Sequence, residues 1–204
     1  MTSGQIESVI YEIVTLLEDS GGEQYFGEDV SKLEHALQCA FHAASAGAGE
    51  ELILAALLHD IGHLLDIDGT VRDERVGVVN HDETGARWLL QRGFSPRLAA
   101  LVGGHVDAKR YLTATNPAYN RRLSPASVET LKLQGGPMSD ADALAFSAQP
   151  DRDAMLRLRT WDELAKDPAW SGPALRHYIP MLRRHLGRSV TANSSDLHPG
   201  FNQL

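Results

Sequence analysis

A single cysteine, Cys39, stands among 204 residues. No internal disulfide can form, and a reducing compartment is the natural setting. Aromatic residues are scarce at 6%, and no stretch sustains the apolar–polar alternation of a strand beyond short pieces near Val71–Val79, which leaves no basis for a sheet fold. The longest apolar run, Leu52–Leu58, falls far short of the roughly 20 residues that a membrane-spanning helix needs. Met1-Thr2-Ser3-Gly4 lacks the basic flank and apolar core of a leader, so a cytoplasmic location is expected. Positive charge is in deficit: 19 Lys and Arg against 27 Asp and Glu give a net charge of −8. Neither nucleic acid nor a membrane surface is an expected partner. A small anionic substrate stays open, because metals and a few basic side chains can override the global sign locally.

What is present is helical periodicity. Ile6, Val9, Ile10, Ile13, Leu16 and Leu17 mark a first helix that Gly21-Gly22 stops. The pattern predicts further helices over Lys32–Ala46 and Glu50–Leu65, the latter nearly all apolar and placed in the core. A loop follows over Gly69–Val79, then a helix capped by Asn80 that runs to Gln91, and another opened by Ser95-Pro96. Later helices are expected over Ser127–Leu133, Ser139–Ser147, Asp151–Lys166 and Pro173–Leu186. The expectation is an all-α protein with one domain over residues 1–187 and a loose polar tail over 188–204.

His59-Asp60 closes the apolar run, where a histidine and a carboxylate are costly unless something charged offsets their desolvation. A buried His–Asp hydrogen bond would account for that pair alone. His35, His81 and His105 change the balance: with His59 they recur at intervals of 24, 22 and 24 residues, as when successive helices each bring one ligand to a common point. Asp162, on a late amphipathic helix, completes a set of four histidines and two aspartates. Neutral imidazole is a common ligand for transition metals, and a carboxylate can bridge two ions. Asp60, beside His59, is the expected bridge. No CxxC occurs, so a structural zinc site is not expected.

In its ordered His35, His59-Asp60, His81, His105, Asp162 set the chain resembles the HD-domain superfamily, whose fold is an all-α helical bundle. Most HD proteins are phosphohydrolases; a minority hold a mixed-valent Fe(II)/Fe(III) pair and activate O2. The segments Gln24–Glu28, Leu33–Ala40, Ala55–His63, Gly104–Leu112 and Gln134–Met138 are similar to the phosphonate-cleaving HD oxygenases. The resemblance runs from about Tyr25 to Leu186. It implies a two-iron cofactor, O2 as co-substrate, and oxidation at C1 of a 1-hydroxyphosphonate with loss of phosphate. It also implies functional coupling to a 2-oxoglutarate-dependent hydroxylase that makes the substrate. By resemblance, Tyr25 occupies the iron until substrate arrives and Glu28 engages the substrate's ammonium end, while Ser127 and Gln134 fall at substrate-contacting positions.

The residues themselves are compatible with this. Lys109 lies four after His105 and Arg159 three before Asp162, offsets that place each cation on a ligand-bearing helix face. Two cations beside a metal pair make a clamp for a phosphonate dianion. His63, four after His59, would face a phosphonate oxygen or the C1 hydroxyl. The expected substrate is a 2-ammonio-1-hydroxyethylphosphonate. The trimethylammonio form is favoured over the primary amine because Asp66, Asp68, Asp73 and Glu74 follow His63. The alternative is a metal-dependent phosphohydrolase acting on a small phosphoester or nucleotide, which gives Tyr25 and Glu28 no task.

Overall fold

In a computed structural model, residues 1–67, 70–73 and 77–195 are described, residues 189–195 by their backbone alone. Helix α1 (Ser3–Thr15) opens with a capping box, Thr2 accepting from the Gln5 backbone while the Gln5 side chain returns to the Thr2 N–H. It passes into a π-helical turn at Leu16–Ser20. Helix α2 (Lys32–Ser45) repeats the capping box with Ser31 and Glu34. Helix α3 (Glu50–Leu58) is the core's axis: every residue from Leu52 to Leu58 is buried. It packs against α2, α5 (Pro96–Gly103), α10 (Arg152–Leu164) and α11 (Ile179–Ser195). Its five large aliphatic side chains contribute roughly 2 kcal/mol each through burial. The absence of a polar face follows from this central place. Helix α4 (His81–Gln91) lies against α5 and against a 3-10 turn at Ile61–Leu64. Helices α6 (His105–Thr115), α7 (Pro117–Asn120), α8 (Pro125–Leu133) and α9 (Asp140–Ser147) complete the bundle. Two short strands, β1 (Arg72–Asp73) and β2 (Gly77–Val78), pair antiparallel with Arg72 opposite Val78. Among the described residues no helix is long and apolar enough to cross a membrane.

The all-α expectation is met, and several boundaries move. The helix expected to run to Leu65 ends at Leu58, followed by the 3-10 turn. There the His59 ring donates from Nδ1 to the Ala56 carbonyl at 2.9 Å, taking an acceptor that a further α-turn would need. Asn80 stands at the N-cap of α4 without capping it; its Oδ1 accepts instead from Val71 N at 2.9 Å and ties down the hairpin base. The helix expected from Ser127 starts two residues earlier, at Pro125, and is capped by Ser124. Helix α7, opened by Asn116-Pro117, was not expected from periodicity. The last helix continues to Ser195, past Arg188, where the aperiodic tail was expected to start. Residues 196–204 of that expected tail, and Asp68 and Glu74 of the acidic stretch, lie outside the described residues.

The turn after Asp60 depends on Gly62. A Cβ there would lie 1.9 Å from the His81 carbonyl oxygen, while Gly85 faces the same contact from α4. Gly62→Ala must therefore push the turn away from the start of α4. Overpacking of this kind costs about 3 kcal/mol, or on the order of 5–10 °C in Tm for a chain of this size. Thermal unfolding followed by circular dichroism would show it. An unchanged Tm would mean that the turn and α4 are not in rigid contact.

Candidate metal centre and its cavity

Five helices deliver six side chains to one point. His35 lies in the second turn of α2, His59 and Asp60 follow the end of α3, His81 and His105 are the first residues of α4 and α6, and Asp162 lies near the end of α10. His81 thus stands at the helix start expected directly after Asn80. Gly104 separates α5 from α6, so His105 occupies a helix start.

All four imidazoles are buried, and each is oriented by a backbone carbonyl at Nδ1. The acceptors are Ala165 O at 2.8 Å for His35 and Ala56 O at 2.9 Å for His59. For His81 and His105 they are Val78 O at 3.2 Å and Val102 O at 2.6 Å. In three of the four the carbonyl belongs to the residue three positions earlier. These bonds assign the proton to Nδ1 and turn the Nε2 lone pairs inward.

The inward atoms fall into two groups, His35, His59 and Asp162 in one and Asp60, His81 and His105 in the other. Asp60 reaches both. Its Oδ1 lies 3.3 Å from His81 Nε2 and 3.4 Å from His105 Nε2, while its Oδ2 lies 3.4 Å from His59 Nε2 and 3.7 Å from His35 Nε2. Asp162 Oδ1 is 3.3 Å from His35 Nε2. Asp60 Oδ2 is buried without a hydrogen-bond partner. The Nε2 atoms face one another at 3.2 Å (His35–His59) and 3.0 Å (His81–His105). Paired lone pairs at that distance repel unless a cation lies between them, and two metal–nitrogen bonds of about 2.1 Å at nearly a right angle span it. The donor set fits two ions, with Asp60 able to give one oxygen to each. Burial opposes charge on Asp60, yet the surrounding imidazoles, His59 foremost, hold its carboxyl well below the usual range. Arg159 has the same effect on buried Asp162.

A cavity of about 390 Å³ opens beside this centre and brings together every sequence-predicted substrate residue: Glu28, His63, Lys109, Ser127, Gln134 and Arg159, with Tyr25 in its wall. The Tyr25 ring stacks on His35 at 4.0 Å, and His63 stacks on His81 at 3.9 Å. Burial, with the charges of Asp60 and Asp162, pushes the Tyr25 hydroxyl well above the usual phenol range. The two expected clamp cations divide their tasks. Arg159 is charge-balanced by protein acceptors: Nε donates to Tyr119 Oη at 2.7 Å, and the terminal nitrogens bond Asp162 and Glu163. Buried Lys109 meets only neutral oxygens, Thr130 Oγ1 at 2.6 Å and Gln134 Oε1 at 3.0 Å. Burial and nearby Arg159 lower its pKa to about 7.

Tyr119, Thr130, Glu163 and Lys166 join the site without having been expected. Three of them carried a signal, since Thr130 lies three after Ser127, and Glu163 and Lys166 continue the Arg159–Asp162 face. Tyr119 comes from α7 and had none. Of the described members of the acidic stretch, neither Asp66 nor Asp73 lines the cavity. Asp66 is exposed and pairs with Arg72, and it is Arg72 that lines the wall.

Residues 33–146 match the family described as HD domain. The chain is 37% identical over 185 residues to the [1-hydroxy-2-(trimethylamino)ethyl]phosphonate dioxygenase (glycine-betaine-forming) of Leisingera caerulea, covering 91% of this chain and 94% of that one. It is 36% identical over 177 residues to the hydroxymethylphosphonate dioxygenase of Gimesia maris, covering 87% and 86%. An uncharacterized protein of Acanthamoeba polyphaga mimivirus is 36% identical over 187 residues, 91% of this chain and 85% of that one.

Two measurements check the geometry. Because Asp60 faces both groups, Asp60→Ala should lose both metals, whereas His81→Ala should empty one site and keep the other. Metal analysis finding equal content in wild type and Asp60→Ala would remove the bridge. Lys109 should make anion binding pH-dependent. Its charged form dominates below about 7, so affinity for sulfate, a dianion throughout, should fall about tenfold from pH 6 to pH 8. Lys109→Met should flatten that profile. The stability effect has the opposite sense. Unfolded lysine stays protonated to about pH 10, so the unfolded chain holds more protons above about 7 and stability rises with pH across that window.

Proposed function

This chain belongs to the HD-domain family, beside phosphonate dioxygenases that align along most of its length, and from that premise we propose that it catalyses O2-dependent oxidative cleavage of the carbon–phosphorus bond of a 2-ammonio-1-hydroxyethylphosphonate. The trimethylammonio form, yielding glycine betaine and phosphate, is the first substrate to test; the 2-amino form, yielding glycine and phosphate, is the second. We infer iron as the metal, as an Fe(II)/Fe(III) pair, and a cytoplasmic enzyme supplied by a 2-oxoglutarate-dependent C1 hydroxylase.

When bound, the ion pair supplies Lewis acidity toward the substrate's oxygens and electrons toward O2. The chain's residues do the rest. His35, His59 and Asp162 would hold one ion and His81 and His105 the other, with Asp60 facing both groups. Lys109, with no carboxylate bonded to it, offers its charge to the phosphonate, and Gln134 and Thr130 aim the ammonium. Arg159 steadies Asp162 while its flank lines the cavity. His63, stacked on His81 in the cavity wall, would bond the C1 hydroxyl.

The observation that favours an oxygenase over a phosphohydrolase is Tyr25. A phenol stacked on a metal-ligating imidazole inside the cavity has no task in hydrolysis. It can cover an oxygen-sensitive ion until substrate displaces it. The Gly27 backbone, at φ 67°, suits a segment that must move.

The test is anaerobic reconstitution with iron, followed by phosphate release from the hydroxyphosphonate with and without O2. Release should require O2. Equal release without O2, or with zinc in place of iron, would return the protein to the hydrolases. Tyr25→Phe should keep its iron, lack the visible phenolate band of the oxidised wild type, and inactivate faster in air. Identical spectra would leave Tyr25 a packing residue.

A further inference from the structure

Lys166 lies just past the end of α10 and is mostly shielded from solvent. Its ammonium has four oxygens within hydrogen-bond reach. Glu163 Oε1 is at 2.9 Å, Glu28 Oε1 at 3.0 Å, and the hydroxyls of Ser124 and Ser127 are each at 3.2 Å. An ammonium has three hydrogens. One acceptor is therefore surplus, and Lys166 can give up any one of the four and remain fully bonded by the others.

Glu28 is the acceptor that can leave. Glu163 is tied to Arg159 within α10, and the two serines belong to the start of α8. Glu28 belongs to the segment that carries Tyr25 and the positive-φ Gly27, lines the cavity, and is held at α8 by one further bond, Ser124 Oγ donating to its Oε1 at 2.7 Å. With Lys166 on it, the carboxylate faces the cavity already neutralised.

We propose that Lys166 is a specificity-determining residue, the built-in counter-cation of Glu28, which the positively charged end of the substrate replaces at that carboxylate. This rests on the hydroxyphosphonate reading above and names what sets its preference for a cationic tail. A substrate with a cationic end must compete with Lys166 for Glu28. A substrate without one leaves the pair intact. Lys166 thus narrows the gap between the two classes, and without it Glu28 would attract cationic tails more strongly and repel bare phosphonates.

The test uses two unreactive ligands of the same shape, 2-(trimethylammonio)ethylphosphonate and its uncharged carbon analogue 3,3-dimethylbutylphosphonate. Their Kd values are measured by calorimetry on the metal-loaded protein without O2. The ratio of the two affinities is the readout. Lys166→Met should raise the ratio in favour of the cation by about tenfold, and Glu28→Gln should bring it towards one. In the Glu28→Gln background, adding Lys166→Met should change nothing, since Lys166 acts through Glu28. A merely structural role would weaken both ligands alike, and direct contact of Lys166 with the phosphonate would do so in both backgrounds. Either result, or an unchanged ratio in Lys166→Met, overturns the inference and leaves the hydroxyphosphonate reading standing. If the wild type binds neither ligand, the hydroxyphosphonate reading falls and this one with it. Lys166→Arg, which keeps the charge, should keep the wild-type ratio and so separates charge from folding.

Discussion

The fold is organised around one carboxylate set between four imidazoles. Asp60 presents one oxygen to His81 and His105 and the other to His59 and His35, all across 3.3–3.7 Å. Without cations this arrangement is costly: an orphaned carboxylate oxygen, two close pairs of nitrogen lone pairs and almost no solvent. Much of the surrounding geometry serves to hold it. The carbonyl at each Nδ1 fixes ring and tautomer, Gly62 lets the turn after Asp60 close against His81, and Arg159 pins Asp162. The core helix α3 carries no polar face of its own, so the chemistry starts where that helix stops.

The cavity's charges are not equivalent. Arg159 spends its hydrogen bonds on Asp162, Glu163 and Tyr119, so its charge is balanced locally and its first effect is on ligand orientation. Lys109 has only neutral partners, and its depressed pKa reports a cation that the protein leaves uncompensated. An incoming dianion gains most at Lys109. Lys166 is the reverse case, with two carboxylates and two hydroxyls around one ammonium. Two residues of the same type therefore act oppositely, one by lacking a counter-ion and one by being a counter-ion.

The six clustered side chains were legible because their types are improbable where they stand. A His-Asp pair at the end of Leu52–Leu58 has few explanations, and three more histidines at near-equal intervals reinforce the same one. The helices were legible for a related reason, since periodicity records which face is buried. What stayed hidden was set by local competition. The early end of α3 arises because a side-chain N–H takes the Ala56 carbonyl, and no hydropathy pattern registers that. Helix α7 is four residues long, too short to show a period, so Tyr119 and its bond to Arg159 were invisible. Asp66 shows that proximity in sequence to His63 does not by itself bring a side chain to the cavity: it is exposed and pairs with Arg72.

Placing His81 and His105 at helix starts has a consequence that interior positions would not share. The first turn of a helix carries unsatisfied N–H groups and the positive end of its dipole. For His105 this acts in the same direction as burial, which lowers its pKa and keeps the ring neutral and able to ligate a metal. Helices α4 and α6 both begin at the centre, and α8 begins at the cavity wall beside Ser124 and Ser127. Three positive helix ends and Lys109 thus surround a pocket in a protein whose net charge is −8. The positive potential of the pocket is built locally, from backbone direction as much as from side chains, which is why the overall charge gave no warning of it.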